Sequence, residues 1–124
     1  MVALSYATVG SNDLKKAKAF YDDLLGSVGM ASVFEHPSGG RLYGKDGKLM
    51  FGVMAPHDGK PASVGNGTMM GFTFKSREEV DAFYKKAIAL GAKDEGAPGE
   101  RGAGFYFSYF RDLDGNKLCA YKLG

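Results

Sequence analysis

The chain has one cysteine, Cys119, no tryptophan, four prolines and two histidines in 124 residues. A single thiol cannot close an intrachain disulfide, so the fold must hold by packing, and a reducing cytoplasm is its simplest setting. No apolar run approaches the ~18 residues that cross a bilayer, and the N-terminus lacks the basic-then-apolar pattern of a secretion signal. Charge is nearly balanced, 16 Lys and Arg against 14 Asp and Glu. A net +2 that is scattered along the chain excludes nucleic acid as a partner. Lys15, Lys16 and Lys18 read as a solvated helix face. His36 and His57 stand beside Pro37 and Pro56 in loop-like stretches, and read as surface imidazoles rather than as a metal pair.

What the chain does have is glycine (19 residues), 44% hydrophobic residues and 13% aromatics. Its size makes one domain, able to bury roughly two-thirds of its unfolded surface without staples. It also repeats itself. Ala19-Phe20-Tyr21 returns as Ala82-Phe83-Tyr84, and in that register Asp13 falls on Ser76, Val9 on Phe72 and Tyr6 on Met69. Matching context on both sides of a matching tripeptide indicates a duplicated module.

In the first copy, Leu4 to Gly10 alternates as a strand, with Leu4, Tyr6, Thr8 and Gly10 on one face. Asn12 or Asp13 caps a helix whose apolar stripe is Leu14, Ala17, Tyr21, Leu24 and Leu25. Gly26 is expected to end it in the left-handed conformation. Short strands follow near Ser32–Glu35, Arg41–Gly44 and Lys48–Met54, the last two joined at the hairpin signal Asp46-Gly47. The first module takes in residues 1–55, an aperiodic linker 56–65, and the second module 66–124. That module opens with the strand Thr68–Phe74, with Met70, Phe72 and Phe74 on its helix-covered side. The capping box Ser76-Arg-Glu-Glu79 begins a helix that buries Val80, Phe83, Ala87 and Leu90 and stops at Gly91. A glycine-rich loop over Lys93–Gly104, a strand Phe105–Phe110, a turn Asp112–Asn116 and a closing strand Lys117–Leu123 complete it. The fold class is therefore α+β: two tandem βαβββ modules making a cupped, mostly antiparallel eight-stranded sheet with helices outside.

Four stretches give this pattern a family likeness: Asn12-Asp-Leu with Phe20-Tyr21 and Leu25-Gly26; Gly67-Thr-Met-Met-Gly-Phe72; Ala97-Pro-Gly-Glu-Arg101; and Tyr109-Phe-Arg-Asp-Leu-Asp-Gly-Asn-Lys-Leu118. In this order they resemble the vicinal oxygen chelate superfamily of glyoxalases, bleomycin-resistance proteins and ring-cleaving dioxygenases. The resemblance implies a ligand cavity in the cupped sheet and often a homodimer. It also implies, in catalytic members, a divalent metal held by two His and one or two Glu. Transferred one position at a time, the first-strand His falls on Tyr6 and the His opening the second module falls on Met69. The last-strand carboxylate falls on Cys119, and its first-module counterpart, counted from the Asp-Gly turns, falls on Met50. Phenol and thioethers are poor partners for a hard or borderline divalent ion. A Met/Met/Cys set suits Cu(I), but methionine is also the usual filler of irregular gaps, and filling is the reading adopted.

The ligand-lining set is accordingly Tyr6, Thr8, Met50 and Met69, with Arg101, Tyr106, Tyr109 and Cys119. Arg101 either engages a carboxylate or phosphate with its planar fork or bonds to nearby carbonyls or to Glu100; Arg41 is open to the same two readings. Cys119 has no histidine expected beside it and reads as a small buried hydrophobe. The expected function is a metal-free small-molecule-binding protein that needs no cofactor. The alternatives are a lyase, isomerase or dioxygenase-type enzyme with a non-standard or metal-independent site, for instance with Tyr6 as acid, and a dimeric partner protein with a collapsed cavity.

Overall fold

Both copies of the module are present in the computed structural model, which describes all 124 residues. The order is β1 (Ala7–Gly10), α1 (Leu14–Gly26), β2 (Ala31–Glu35), β3 (Arg41–Lys45) and β4 (Lys48–Met54), then β5 (Met70–Thr73), α2 (Arg77–Ala89), β6 (Lys93–Glu100), β7 (Phe105–Arg111) and β8 (Lys117–Leu123). This is an α+β chain of two βαβββ modules. Hydrogen bonding divides the eight strands into two four-stranded sheets, β1-β4-β3-β2 and β5-β8-β7-β6. The pairs β1–β4 and β5–β8 are parallel, and the remaining pairs are antiparallel. The chain forms two compact units, Met1–Val64 and Gly65–Gly124.

In the first unit Asp13, not Asn12, caps α1, its carboxylate accepting from the Lys16 N–H at 3.1 Å. Asn12 does different work. Its amide donates to the Ala62 carbonyl at 3.0 Å and accepts from the Ala62 N–H at 2.7 Å, as a neighbouring peptide would. The aperiodic segment before Gly65 is thereby held against the first unit. The helix also ends later than expected. Gly26 is still helical, and the left-handed residue is Gly29, φ +85°. Gly29 N–H donates to Gly26 O and Met30 N–H to Leu25 O, the paired bonds of a Schellman motif. The second unit repeats that closure at Gly91, φ +105°, with Gly91 N–H to Ile88 O and Ala92 N–H to Ala87 O.

The repeat extends into the cores. Tyr21 meets Tyr43 at 6.3 Å between ring centroids, and its counterpart Tyr84 meets Phe110 at 6.5 Å. Phe83 is 1% exposed and touches the rings of Phe72, Phe74 and Phe110, so β5 does turn Phe72 and Phe74 toward α2. The stretch expected as a loop at Lys93–Gly104 is strand β6 through Glu100. Two register shifts, Gly96 and Pro98 disguise it in sequence. As an edge strand it has one side that needs no N–H donor, which is where a proline is tolerated.

Phenol–carboxylate bonds tie each helix to its sheet: Tyr43 to Asp22 (2.8 Å), Tyr84 to Asp94 (2.8 Å) and Tyr106 to Asp81 (2.6 Å). All three phenols ionise later than free tyrosine. Burial leads at Tyr43 and Tyr84, followed by the carboxylate bond, whereas the Asp81 bond leads at Tyr106. A native acid that holds its proton more tightly than the unfolded chain stabilises the fold fully below the unfolded value and loses that contribution as pH rises through the native one. Stability is therefore expected to hold up to about pH 10, the ordinary tyrosine value, and to fall above it, with the buried Tyr43 phenolate the last to appear. Spectrophotometric tyrosinate titration run beside circular dichroism checks this; ionisation of all seven tyrosines before any loss of structure would contradict it.

Candidate functional site

In the second unit, strand register sorts the aromatic run of β7 into two faces. Ser108 lies opposite Ala120 and Phe110 opposite Leu118, on the side covered by α2. Tyr106 shares that side. Its hydroxyl reaches Asp81 of α2, and the Arg77 guanidinium lies 4.8 Å from its ring centroid. Tyr106 therefore does not belong with Tyr109, and its expected place in the ligand-lining set is corrected by strand parity. Phe107 and Tyr109 point the other way, opposite Tyr121 and Cys119.

On this open face three rings stand nearly parallel. Phe107 stacks on Tyr109 at 5.9 Å and 14°, and on Tyr121 at 5.0 Å and 11°. Lys117 Nζ is 5.2 Å and Arg101 Cζ is 5.7 Å from the Tyr109 centroid. Arg101 donates to the Ala97 carbonyl at 2.7 Å, while Glu100 pairs with Arg77. Arg41 belongs elsewhere, clamped between Asp22 (2.6 Å) and Glu35 (2.7 Å). Of the expected set, Arg101, Tyr109 and Cys119 thus lie on one face, together with Phe107, Lys117 and Tyr121. Counting two residues either way from Cys119 and from Tyr109 finds all three, once parity is known, and also Arg111, which pairs with Glu95 at 2.9 Å.

Cys119 is 1% exposed, and burial pushes its thiol up, against the opposing Phe72 N–H and the Lys117 charge. A buried thiol whose thiolate is disfavoured is no nucleophile at neutral pH. Gly71 lies opposite Cys119, and a Cβ there would approach Cys119 Sγ to 3.2 Å. Met69 stands one residue ahead of β5 and is 43% exposed.

In the first unit Thr8 lies opposite Gly52, on the face away from α1; Tyr6, one residue ahead of β1, is 46% exposed. Met50 is not the counterpart of Cys119. Thr8 corresponds to Gly71 in the repeat, and their partners are Gly52 and Cys119. Counting from the turns fails for two reasons. Lys45 pairs with Lys48 across a two-residue turn, whereas Arg111 pairs with Lys117 across five residues. Met50 itself is the extra residue of a bulge, because Tyr43 faces Phe51 and Gly44 faces Leu49. His36 accepts from the Ser38 N–H at 3.1 Å within its own turn, and His57 is exposed.

The donor set does not fit a hard divalent cation. At the positions transferred from metal-binding members the first unit offers a phenol and a glycine, and the second a thioether and a buried thiol. Nowhere in the chain do three His, Cys, Asp or Glu side chains converge as metal ligands. No helix is long and apolar enough to cross a membrane.

A profile of the Glyoxalase/Bleomycin resistance protein/Dioxygenase superfamily matches residues 3–120. Among solved structures, a glyoxalase/bleomycin resistance protein from Albidiferax ferrireducens is 40% identical, with TM-score 0.87 and 98% of each chain covered. A lactoylglutathione lyase from Agrobacterium tumefaciens is 22% identical, with TM-score 0.72, over 97% of this chain and 92% of that one. A point mutant of a fosfomycin resistance protein from Listeria monocytogenes, complexed with Mn(II) and a dihydroxypropylphosphonic acid, is 20% identical, with TM-score 0.73, over 98% and 90%. The last two likenesses are of fold. No curated protein matches the chain.

Proposed function

The chain belongs to the Glyoxalase/Bleomycin resistance protein/Dioxygenase superfamily, and from that premise we propose that it is a metal-free receptor for a small organic molecule. One observation carries the reading. Where metal-binding members place His and Glu, this chain has Tyr6, Met69, Cys119 and Gly52, none of which offers a divalent ion an imidazole or a carboxylate. The fosfomycin resistance relative holds Mn(II); this donor set is of another kind. Beside it, the open face of the second unit supplies apolar rings, phenol hydroxyls and two cations, the mixture that small-molecule sites use for burial and orientation. The same reading takes the protein to act as a cytoplasmic homodimer, with its one thiol reduced.

Thermal unfolding against a library of small organic compounds, with excess EDTA throughout, tests it. A ligand at a hundred times its Kd adds about 2.7 kcal/mol, a rise of several degrees for a domain of this size. Stabilisation that survives EDTA is expected. Stabilisation that EDTA abolishes, or that a divalent metal must restore, would sink the reading.

A further inference from the structure

Arg101 is the exception among four arginines. Arg41 pairs with Asp22 and Glu35, Arg77 with Glu100, and Arg111 with Glu95 at 2.9 Å, whereas the Arg101 guanidinium meets a carbonyl and a ring. A Cβ at Gly99 would lie 3.0 Å from Nη1, and one at Gly96 would lie 3.2 Å from Nη2 and 3.1 Å from Tyr109 Cδ2. Glycine at both positions therefore opens the slot in which the guanidinium lies between the β6 backbone and Tyr109. One N–H is fixed by the Ala97 carbonyl, which leaves donors of the fork for a ligand.

Lys117 sits on the same ring and likewise has no carboxylate partner in this unit. Two positive groups held at one aromatic ring repel each other, and an anion placed between them relieves that repulsion. A hydrophilic anion alone would leave the adjoining rings of Phe107 and Tyr121 in water. Their near-parallel planes suit a flat apolar body.

We propose that the open sheet face of the second unit binds a small aromatic carboxylate, its acid group taken by Arg101 and Lys117 beside Tyr109 and its ring system lying along Phe107 and Tyr121. This deepens the receptor reading and rests on it. The anion fixes orientation through charge-assisted, fork-shaped bonds, and the rings supply contact area.

The test titrates the full chain, in EDTA and at fixed ionic strength, with 2-naphthoate, its neutral isostere 2-naphthamide, and inorganic phosphate. Binding is followed by heteronuclear NMR and by thermal shift. Naphthoate is expected to bind at least about tenfold more tightly than the amide and to weaken as salt rises. In the double variant Arg101→Gln/Lys117→Gln, naphthoate affinity is expected to fall roughly 10- to 100-fold while amide binding stays as it was. Both side chains are on the surface of the unit or half-buried, so the unliganded variant should melt with the wild type. Equal affinity for acid and amide, phosphate binding more tightly than naphthoate, or a double variant that keeps its preference for the acid would each overturn the assignment. If the amide binds as well as the acid, the ligand class fails and the receptor stands. If no organic probe binds but Mn(II) or Zn(II) does so stoichiometrically once EDTA is removed, the receptor reading itself fails.

Discussion

Phe83→Ala is expected to cost the protein about 3–5 kcal/mol, the usual range for removing a buried ring. Phe83 sits on the inward face of α2 with 1% of its surface exposed, and its ring touches three others: Phe74 at 5.1 Å, Phe72 at 5.6 Å and Phe110 at 5.9 Å. Those rings come from β5, from the segment that follows it and from β7, so one side chain joins the helix to an edge strand and an inner strand of the sheet. The loss has two parts. Transfer of the ring to water forfeits its burial, and the cavity left behind strips the neighbouring rings of their contacts because a close-packed core relaxes only in part. A domain of this size is stable by only about 5–15 kcal/mol, so the variant should be marginal at body temperature. Urea unfolding followed by circular dichroism reads the shift directly. A loss below about 1 kcal/mol would show that the four rings do not form the core of the second unit.

Gly44→Ala is the second severe change, for a different reason. A Cβ at residue 44 would strike the Lys48 carbonyl oxygen and lie 2.7 Å from its carbon, and backbone atoms cannot rotate away as a side chain would. Gly44 faces Leu49 at the bulge that leaves Met50 unpaired. Adding one methyl group should therefore force β3 and β4 apart locally, at a cost of about 3 kcal/mol or more. Because β4 also pairs with β1, where Gly52 faces Thr8, the change should also disturb the Thr8 amide far more than any amide of the second unit. Comparing the two variants by NMR separates these effects: Phe83→Ala should perturb residues of the second unit, and Gly44→Ala those of the first. A Gly44→Ala protein as stable as the parent would mean that the bulge is not where the register places it.

These two positions show what the sequence made legible. The module was readable because the aromatic pair of each helix, its N-cap and the preceding strand recur together, and each signal rests on local chemistry. Ser76 accepts from the Glu79 N–H at 3.2 Å, as the S-x-x-E pattern requires, and the Glu79 carboxylate takes the Ser76 hydroxyl at 3.1 Å. Helix ends were harder. Gly26 is the expected stop of α1, and the hydrogen bonds from Gly29 and Met30 place the closure three residues later. Strand β6 was illegible because its bulges abolish the alternation by which strands are recognised.

Arg101, Tyr109 and Cys119, expected to line a ligand site, fall on one face of the second unit. Two positions are corrected: Tyr106, three residues from Tyr109 in a strand paired to β8 without a shift, lies on the other face, and Met50 is displaced by the bulge between β3 and β4. Side chains in strands alternate, so a single extra residue or a turn of different length moves everything beyond it to the opposite face. Residue type at Met50 carried no sign of that slip. The contact of Lys117 with the Tyr109 ring depends on the neighbouring strand and so has no local signal in sequence.

The account depends most on the claim that this chain has no binding site for a divalent cation. Calorimetric titration of metal-stripped protein with Mn(II), Ni(II) and Zn(II) in turn tests that claim directly. Only weak, non-saturating heats are expected, with no rise in melting temperature, because phenol and thioether are poor ligands for such ions and a lone thiol whose burial disfavours the thiolate leaves even Zn(II) too few donors. Saturable binding of one ion per chain, abolished by Cys119→Ser or Met69→Leu, would contradict it.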